Sequence, residues 1–196
     1  MRRNVIRTIE SALLVVLLMP AGMLLATATY QPPAVTSGTA NWYDAEQASN
    51  LLNAMQAQAL HVRRNAARLQ VQGSELDWQV QGAMLESAKH HINNIGEDLV
   101  RLDQMRSKLE PWQQSLVHKI TPSLHEMVYQ TDAAIHGLNA HPNRTDLAMT
   151  QYPKYIDQIY ENADEMVNTI GTVKQYAHAE EKMTELRKGN RSTAGS

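Results

Sequence analysis

Apolar residues recur at alternating steps of four and three along most of the chain after residue 40. In the first such segment, residues 41–72, the recurring positions run from Ala48 to Leu69. This spacing places the apolar side chains on one face of an α-helix. Three more segments show the same period, so the pattern predicts four long helices. We expect these helices to end near Gln72, Leu109, Leu138 and Lys188.

Short connections separate the four predicted helices. Gly73 stops the first, and Ser74 or Asp77 can cap the second. Pro111, directly after Glu110, suits the first position of the third helix. No long run alternates at period two, so no sheet is predicted. We therefore predict an all-α fold, an up-down-up-down four-helix bundle preceded by an N-terminal signal peptide.

Prolines and glycines inside the predicted helices modify this picture. Pro122 falls about 170 degrees from the seam of the third helix, so we expect it to face solvent. Pro153 is expected to interrupt the fourth segment, which begins near Thr145. Gly96 and Gly171 each lower helix propensity, and close helix contact or simple tolerance would explain them.

The first 28 residues have the parts of a secretory signal peptide. Three arginines precede an apolar run from Ala12 to Leu25, and the small residues Ala26 and Ala28 follow it. We expect cleavage after Ala28, which leaves the body periplasmic or secreted. The alternative is an uncleaved inner-membrane anchor formed by residues 12–28, with the body outside. The pair Arg2-Arg3 also resembles the twin-arginine export signature.

The rest of the chain divides into three parts. Residues 29–40, with Pro32, Pro33 and Gly38, are expected to form an extended linker. Residues 41–188 form the predicted bundle, and residues 189–196 are expected to be a disordered tail. Toward that tail the apolar pattern fades into Glu180, Glu181 and Glu185, which predicts a helix end that projects into water.

Composition narrows the function classes. The 196 residues include no Cys, which excludes disulfides, thiol catalysis, zinc fingers and covalent c-type haem. The formal net charge is −2, and a nucleic-acid binder would need a clustered basic face. No phosphate-binding loop, serine elbow or His-Glu-x-x-His pair occurs. We therefore predict no catalytic residues and no cofactor, and leave any metal ligand unassigned.

Di-iron centres and non-covalent haem are two cofactor sites that helical bundles can hold. Di-iron sites need a carboxylate three residues before a His, and none of the helical histidines has one. A non-covalent haem would need one His and one Met as ligands, and His178 with Met55 is the pair that the pattern offers. A Met on a seam is usually core filler, so that pair is a minor alternative.

One polar stripe lies opposite the apolar seam of the third helix. Its spacings of seven, four, three and four place all members on one helix face. We interpret this stripe as a pH-sensitive contact face or a weak transition-metal site, and the alternative is a solvated His-rich face. The members are His118, His125, Tyr129, Asp132 and His136.

Together these features predict a non-enzymatic binding or protein-interaction module of the bacterial cell envelope. The alternative is a carrier of a metal ion or non-covalent haem. The expected partner is a protein or small molecule whose identity the sequence does not give. Nucleic acid is not expected, and the membrane is involved only through an uncleaved N-terminal segment. The body is expected to be a monomer or homodimer.

Overall fold

The computed structural model describes residues 42–141, Leu147 and residues 150–193, with side chains placed for residues 44–141, Leu147 and residues 150–187. Four helices make up this region: α1 (Trp42–Gln72), α2 (Trp78–Gln104), α3 (Pro111–Ala140) and α4 (Tyr152–Thr193). A single 3-10 turn (Arg106–Lys108) lies between α2 and α3, and no strand occurs among these residues. The predicted signal peptide with Ala26 and Ala28, the linker 29–40 and residues 194–196 lie outside the described residues.

The predicted up-down-up-down bundle is confirmed. The helices contact one another in the cyclic order α1, α2, α3, α4 and back to α1. Cross-helix pairs run in opposite directions at each interface, as where Asn65 contacts Ser87 and Gln58 contacts His91. Every pair of neighbours is therefore antiparallel, which short connections require.

The predicted seams form the core. Every seam residue of α1, from Ala48 to Leu69, is at most 4% exposed. The seams of the other helices are buried against it, with fully buried anchors such as Ile95, Met127 and Ile159. Tyr152 is the only aromatic residue in this buried set within the described part of the chain. The core is therefore almost wholly aliphatic.

The helix ends follow the local chemistry of their residues. Gly73 ends α1 by donating its N–H to the carbonyl of Leu69 at 2.9 Å, and a Cβ at this glycine would lie 2.3 Å from that oxygen. Glu110 and Gln113 form a reciprocal capping box around Pro111 at the start of α3. These boundaries agree with the predicted ones.

The predicted interruption of the fourth segment near Pro153 is present, and one detail of the prediction needs correction. Leu147 is helical, Thr150 and Gln151 form a bend, and α4 begins at Tyr152 with Pro153 in its first turn, where its missing N–H is not needed. The helix runs through Gly189 to Thr193, five residues beyond the predicted end, because one glycine costs only about 1 kcal/mol in a helix. In α3, Pro122 faces solvent as expected.

Candidate functional site

The predicted polar stripe on α3 lies on the outer face of the bundle. All five members are exposed, and the ring of Tyr129 is 64% exposed. Val128, beside Tyr129, is 42% exposed and adds a small apolar area. The structure therefore presents the stripe to solvent. Its role as a contact face remains a prediction: replacing His118, His125 and His136 by Ala should then weaken an interaction of the native protein.

Asp132 is the one stripe member tied to a neighbouring helix. Its carboxylate accepts a hydrogen bond from the Lys89 ammonium of α2 at 2.9 Å, and this bond raises the pKa of Lys89. Both side chains are about half exposed, so the ion pair is worth at most about 1 kcal/mol. The four-residue spacing would allow Asp132 to pair with His136 on the same helix, whereas the structure pairs Asp132 with Lys89 across the α2–α3 interface.

A second histidine cluster joins α1 to α2, and the sequence interpretation missed it. The rings of His61 and His91 stack with centroids 4.7 Å apart and planes inclined by 16°. The ring of His90 lies 5.8 Å from that of His91. Helices α1 and α2 form a hairpin whose turn lies near residue 75. Counting outward from this turn along both helices places position 61 opposite positions 90 and 91. The position of the turn could therefore have indicated the histidine cluster.

The surroundings of His91 favour its neutral form. Burial lowers the pKa of His91, and the neighbouring His61 and His90 lower it further. Nδ1 of His91 is hydrogen-bonded to the amide oxygen of Gln58, which requires a proton on that nitrogen. The stacked pair of His61 and His91 therefore links α1 to α2 at a place where a second proton on His91 is disfavoured.

Asp98 of α2 is a largely buried carboxylate. Its side chain is only 13% exposed, and Arg101 donates to it at 3.2 Å. Burial raises the pKa of Asp98, and the Arg101 charge offsets part of that rise. Glu97 and Asp98 are adjacent and therefore lie on different faces of α2, and Asp98 lines the groove between α1 and α2.

A pocket of about 190 Å³ opens at the end of the bundle where α1 and α3 finish and α2 and α4 begin. Its buried walls are apolar, and they are formed by Leu69, Leu147, Tyr152 and Ile156. At its mouth the side-chain amide of Gln70 on α1 donates to Asp157 of α4 at 2.8 Å, and both residues are exposed.

The floor of this pocket is held in place by Gln81 of α2. Its side chain is 2% exposed and donates to the carbonyls of Gly73 at 2.8 Å and Leu76 at 3.1 Å. These bonds fix the turn between α1 and α2, which forms one wall.

Tyr152 lines this pocket and carries a buried hydroxyl. The residue is 5% exposed, and its hydroxyl has no hydrogen-bond partner among the described residues. Burial raises the pKa of this phenol above its usual 10.0, so the hydroxyl is a neutral group that can both donate and accept.

The minor haem alternative is not supported by these surroundings. Met55 is fully buried in the core, whereas the side chain of His178 is 76% exposed and faces Glu181 at 4.0 Å. Across the described residues, no group of three or more His, Asp and Glu side chains is positioned to hold a metal ion.

Comparison of the chain with protein-family models, with curated proteins and with solved structures finds no match. Within the described residues, none of the helices combines the length and the apolar character that a membrane crossing requires.

Proposed function

We propose that the protein is a non-enzymatic interaction module of the bacterial cell envelope, and that it pairs with a second copy of itself through the far end of α4. The export signal in the sequence supports the location. The observation that carries the interaction is an exposed apolar stripe near the end of α4, where the last turns of the helix extend past α1.

The register of α4 against α1 shows how far it extends. Asp164 contacts Arg63, Asp157 contacts Gln70 and Lys174 contacts Asn53, so residue numbers across this interface add to a constant. The first residue of α1, number 42, therefore lies opposite about residue 185 of α4, which continues to Thr193. The last two turns of α4 thus have no bundle helix beside them.

The apolar residues near this end do not continue the core seam. The core seam reaches Ala177, and its next positions are Glu180 and Thr184. A second apolar stripe starts at Tyr176, one residue before Ala177, so it is rotated by about 100 degrees around the helix axis from the core seam. It cannot face the interior of the same bundle. Its members, spaced three, four and three, are Tyr176, Ala179, Met183 and Leu186.

This stripe has the form of a coiled-coil seam. Tyr176 is 71%, Met183 55% and Leu186 68% exposed. Apolar residues at alternating steps of three and four are the positions that pack between paired helices. Such large side chains gain by burial against a similar stripe, at about 25 cal/mol per Å² of apolar surface removed from water.

The charges beside the stripe favour a second copy in antiparallel orientation. Glu180 and Arg187 are both exposed and stand seven residues apart, so they flank the stripe on the same side. When two copies pair antiparallel about Met183, Glu180 of each copy lies within one residue of the position opposite Arg187 of the other. A two-fold pair of this kind is self-complementary and closed.

Sedimentation of the protein purified from its own compartment tests this proposal. The wild type should dimerise with rising concentration, and Met183→Glu with Leu186→Glu should abolish dimerisation. Val71→Glu is the matched control, because Val71 is 79% exposed and lies on α1 away from the stripe. A wild type that stays monomeric up to millimolar concentration would contradict the proposal.

A charge exchange tests the orientation. Glu180→Arg and Arg187→Glu, made singly, should each weaken dimerisation because each places like charges opposite one another. The double variant should restore it. If the double variant is as weak as the single ones, the antiparallel arrangement is wrong.

A further inference from the structure

We propose that the histidine cluster between α1 and α2 binds a divalent transition-metal ion through one ring nitrogen each of His61 and His91. Water completes the coordination of the ion, as it does in open metal sites. The cluster joins α1 to α2, whereas the pairing proposed above uses α4, so either proposal can fail without the other.

The hydrogen bond between His91 and Gln58 prepares the His91 ring for a metal. Nδ1 of His91 donates to the amide oxygen of Gln58, so the proton is on Nδ1 and the lone pair is on Nε2. A metal-binding histidine commonly donates its second ring N–H to an oxygen in this way, which fixes the orientation of the ring. Within the described residues, Nε2 of His91 has no hydrogen-bond partner and is not among the buried unpaired atoms. It is therefore accessible to an ion from solvent.

His61 supplies the second nitrogen from the neighbouring helix. The residue is exposed and makes no hydrogen bond to any residue that the structure describes. The ring centroids of His61 and His91 are 4.7 Å apart. Two imidazoles on one ion, with metal–nitrogen distances of about 2.0–2.1 Å at a tetrahedral angle, have centroids about 5 Å apart. The spacing therefore fits a shared ion once the stacked rings tilt toward it, and the exposed ring of His61 can make that movement.

His90 does not supply a third nitrogen through Nε2. That atom accepts a hydrogen bond from the side-chain amide of Asn94 at 3.4 Å, so its lone pair is in use. Two protein ligands agree with the finding that no group of three or more His, Asp and Glu is positioned around an ion in the described chain. Imidazole ligands suit Cu(II), Ni(II) and Zn(II), whereas Mg(II) prefers oxygen. Cu(II) should bind most tightly, because nitrogen sites favour it in this series.

Titration calorimetry of the exported protein, without an affinity tag, tests the site with Cu(II), Zn(II) and Mg(II) in separate experiments. The wild type should bind Cu(II) saturably and Zn(II) more weakly, and it should not bind Mg(II) measurably. His61→Gln and His91→Gln, made singly, should each remove this binding. The double variant should lose no more than either single one, because a shared ion needs both rings. His178→Gln is the matched control, since its side chain is 76% exposed and lies on α4.

Variants of Gln58 test the positioning of the His91 ring with both ligands intact. Gln58→Ala removes the acceptor of the Nδ1 proton and should weaken Cu(II) binding by about 10- to 100-fold. Gln58→Glu offers a carboxylate to the same proton and should restore the affinity. A purely structural role of Gln58 would weaken binding equally in both variants, at matched thermal midpoints.

Three results would overturn this inference. One is a wild type that shows no saturable binding of Cu(II). Another is wild-type affinity for Cu(II) in both His61→Gln and His91→Gln. The third is loss of binding in His125→Gln with both cluster histidines intact, which would place the ion on the polar stripe of α3.

Discussion

Replacing Tyr152 by Phe should make the ligand-free protein more stable, although it deletes a polar group from a native site. In the folded state the hydroxyl is withdrawn from water and receives no hydrogen bond among the described residues. In the unfolded chain the same hydroxyl is hydrated. The substitution removes this penalty and leaves the buried ring in place.

The expected gain follows from the cost of an unpaired buried polar group, which is about 1–3 kcal/mol. With the ring retained, the free energy of unfolding should rise by about that amount. For a chain of this size, 1 kcal/mol corresponds to about 2–4 °C in the thermal midpoint. The shift is therefore large enough to measure in urea and by heating.

The stability of the protein at alkaline pH provides a second test of the Tyr152 hydroxyl. Burial raises the pKa of Tyr152 in the folded protein, whereas the unfolded chain keeps a value near 10.0. The stability that this group contributes is complete below pH 10 and is lost as the pH rises toward the folded-state pKa. The Phe variant should lack this part of the alkaline loss.

Tyr176→Phe provides the reference for these measurements, since an exposed phenol should change stability by less than about 0.5 kcal/mol. Both variants should be dialysed extensively, so that no bound molecule contributes to the wild type. If Tyr152→Phe lowers the free energy of unfolding, the hydroxyl has a partner in the folded state, and the reasoning about an unpaired buried hydroxyl fails.

Three further predictions concern the packing of the bundle. Gly96→Ala should raise the free energy of unfolding by about 1 kcal/mol in urea titration, because a Cβ at Gly96 meets nothing within 4 Å. Gly73→Ala should lower the free energy of unfolding, because a Cβ there lies 2.3 Å from the carbonyl oxygen of Leu69. Equal shifts for the two variants would refute this distinction between the two glycines. The pKa of His91 is lowered from 6.5 on folding, so its contribution to stability is present above pH 6.5 and is lost as the pH falls through the folded-state pKa. The thermal midpoint of His91→Gln should therefore fall less than that of the wild type between neutral and acidic pH. Thermal midpoints that fall equally with pH in the two proteins would contradict this. Leu52→Ala should cost about 2–5 kcal/mol in the same titration, because Leu52 is fully buried, and a smaller loss would show that the core collapses around the deletion.

The sequence was sufficient to predict the helices and the core, but less so the polar sites. The four-and-three spacing from Ala48 to Leu69 depends only on helix geometry, and all those residues are buried. Whether Asp98 faces solvent depends instead on how α2 is rotated against α1, which a single helix does not reveal. The pocket around Tyr152 is formed by side chains from separate helix ends, so no local pattern could indicate it.

The pocket near Tyr152 and the pairing stripe near Leu186 both lie where the periodic seams end, and this has a physical cause. Within the bundle each seam is covered by the three others, so an apolar side chain there contributes stability and leaves no free surface. At the Tyr152 end, the helices start and stop at different levels, and the space between them stays partly unfilled. At the Leu186 end, α4 extends past α1, and its apolar side chains are exposed because they lie on a face rotated away from the core. A shortened α4 ending before Met183 should therefore keep the stability of the bundle and the Tyr152 pocket, and lose only the pairing.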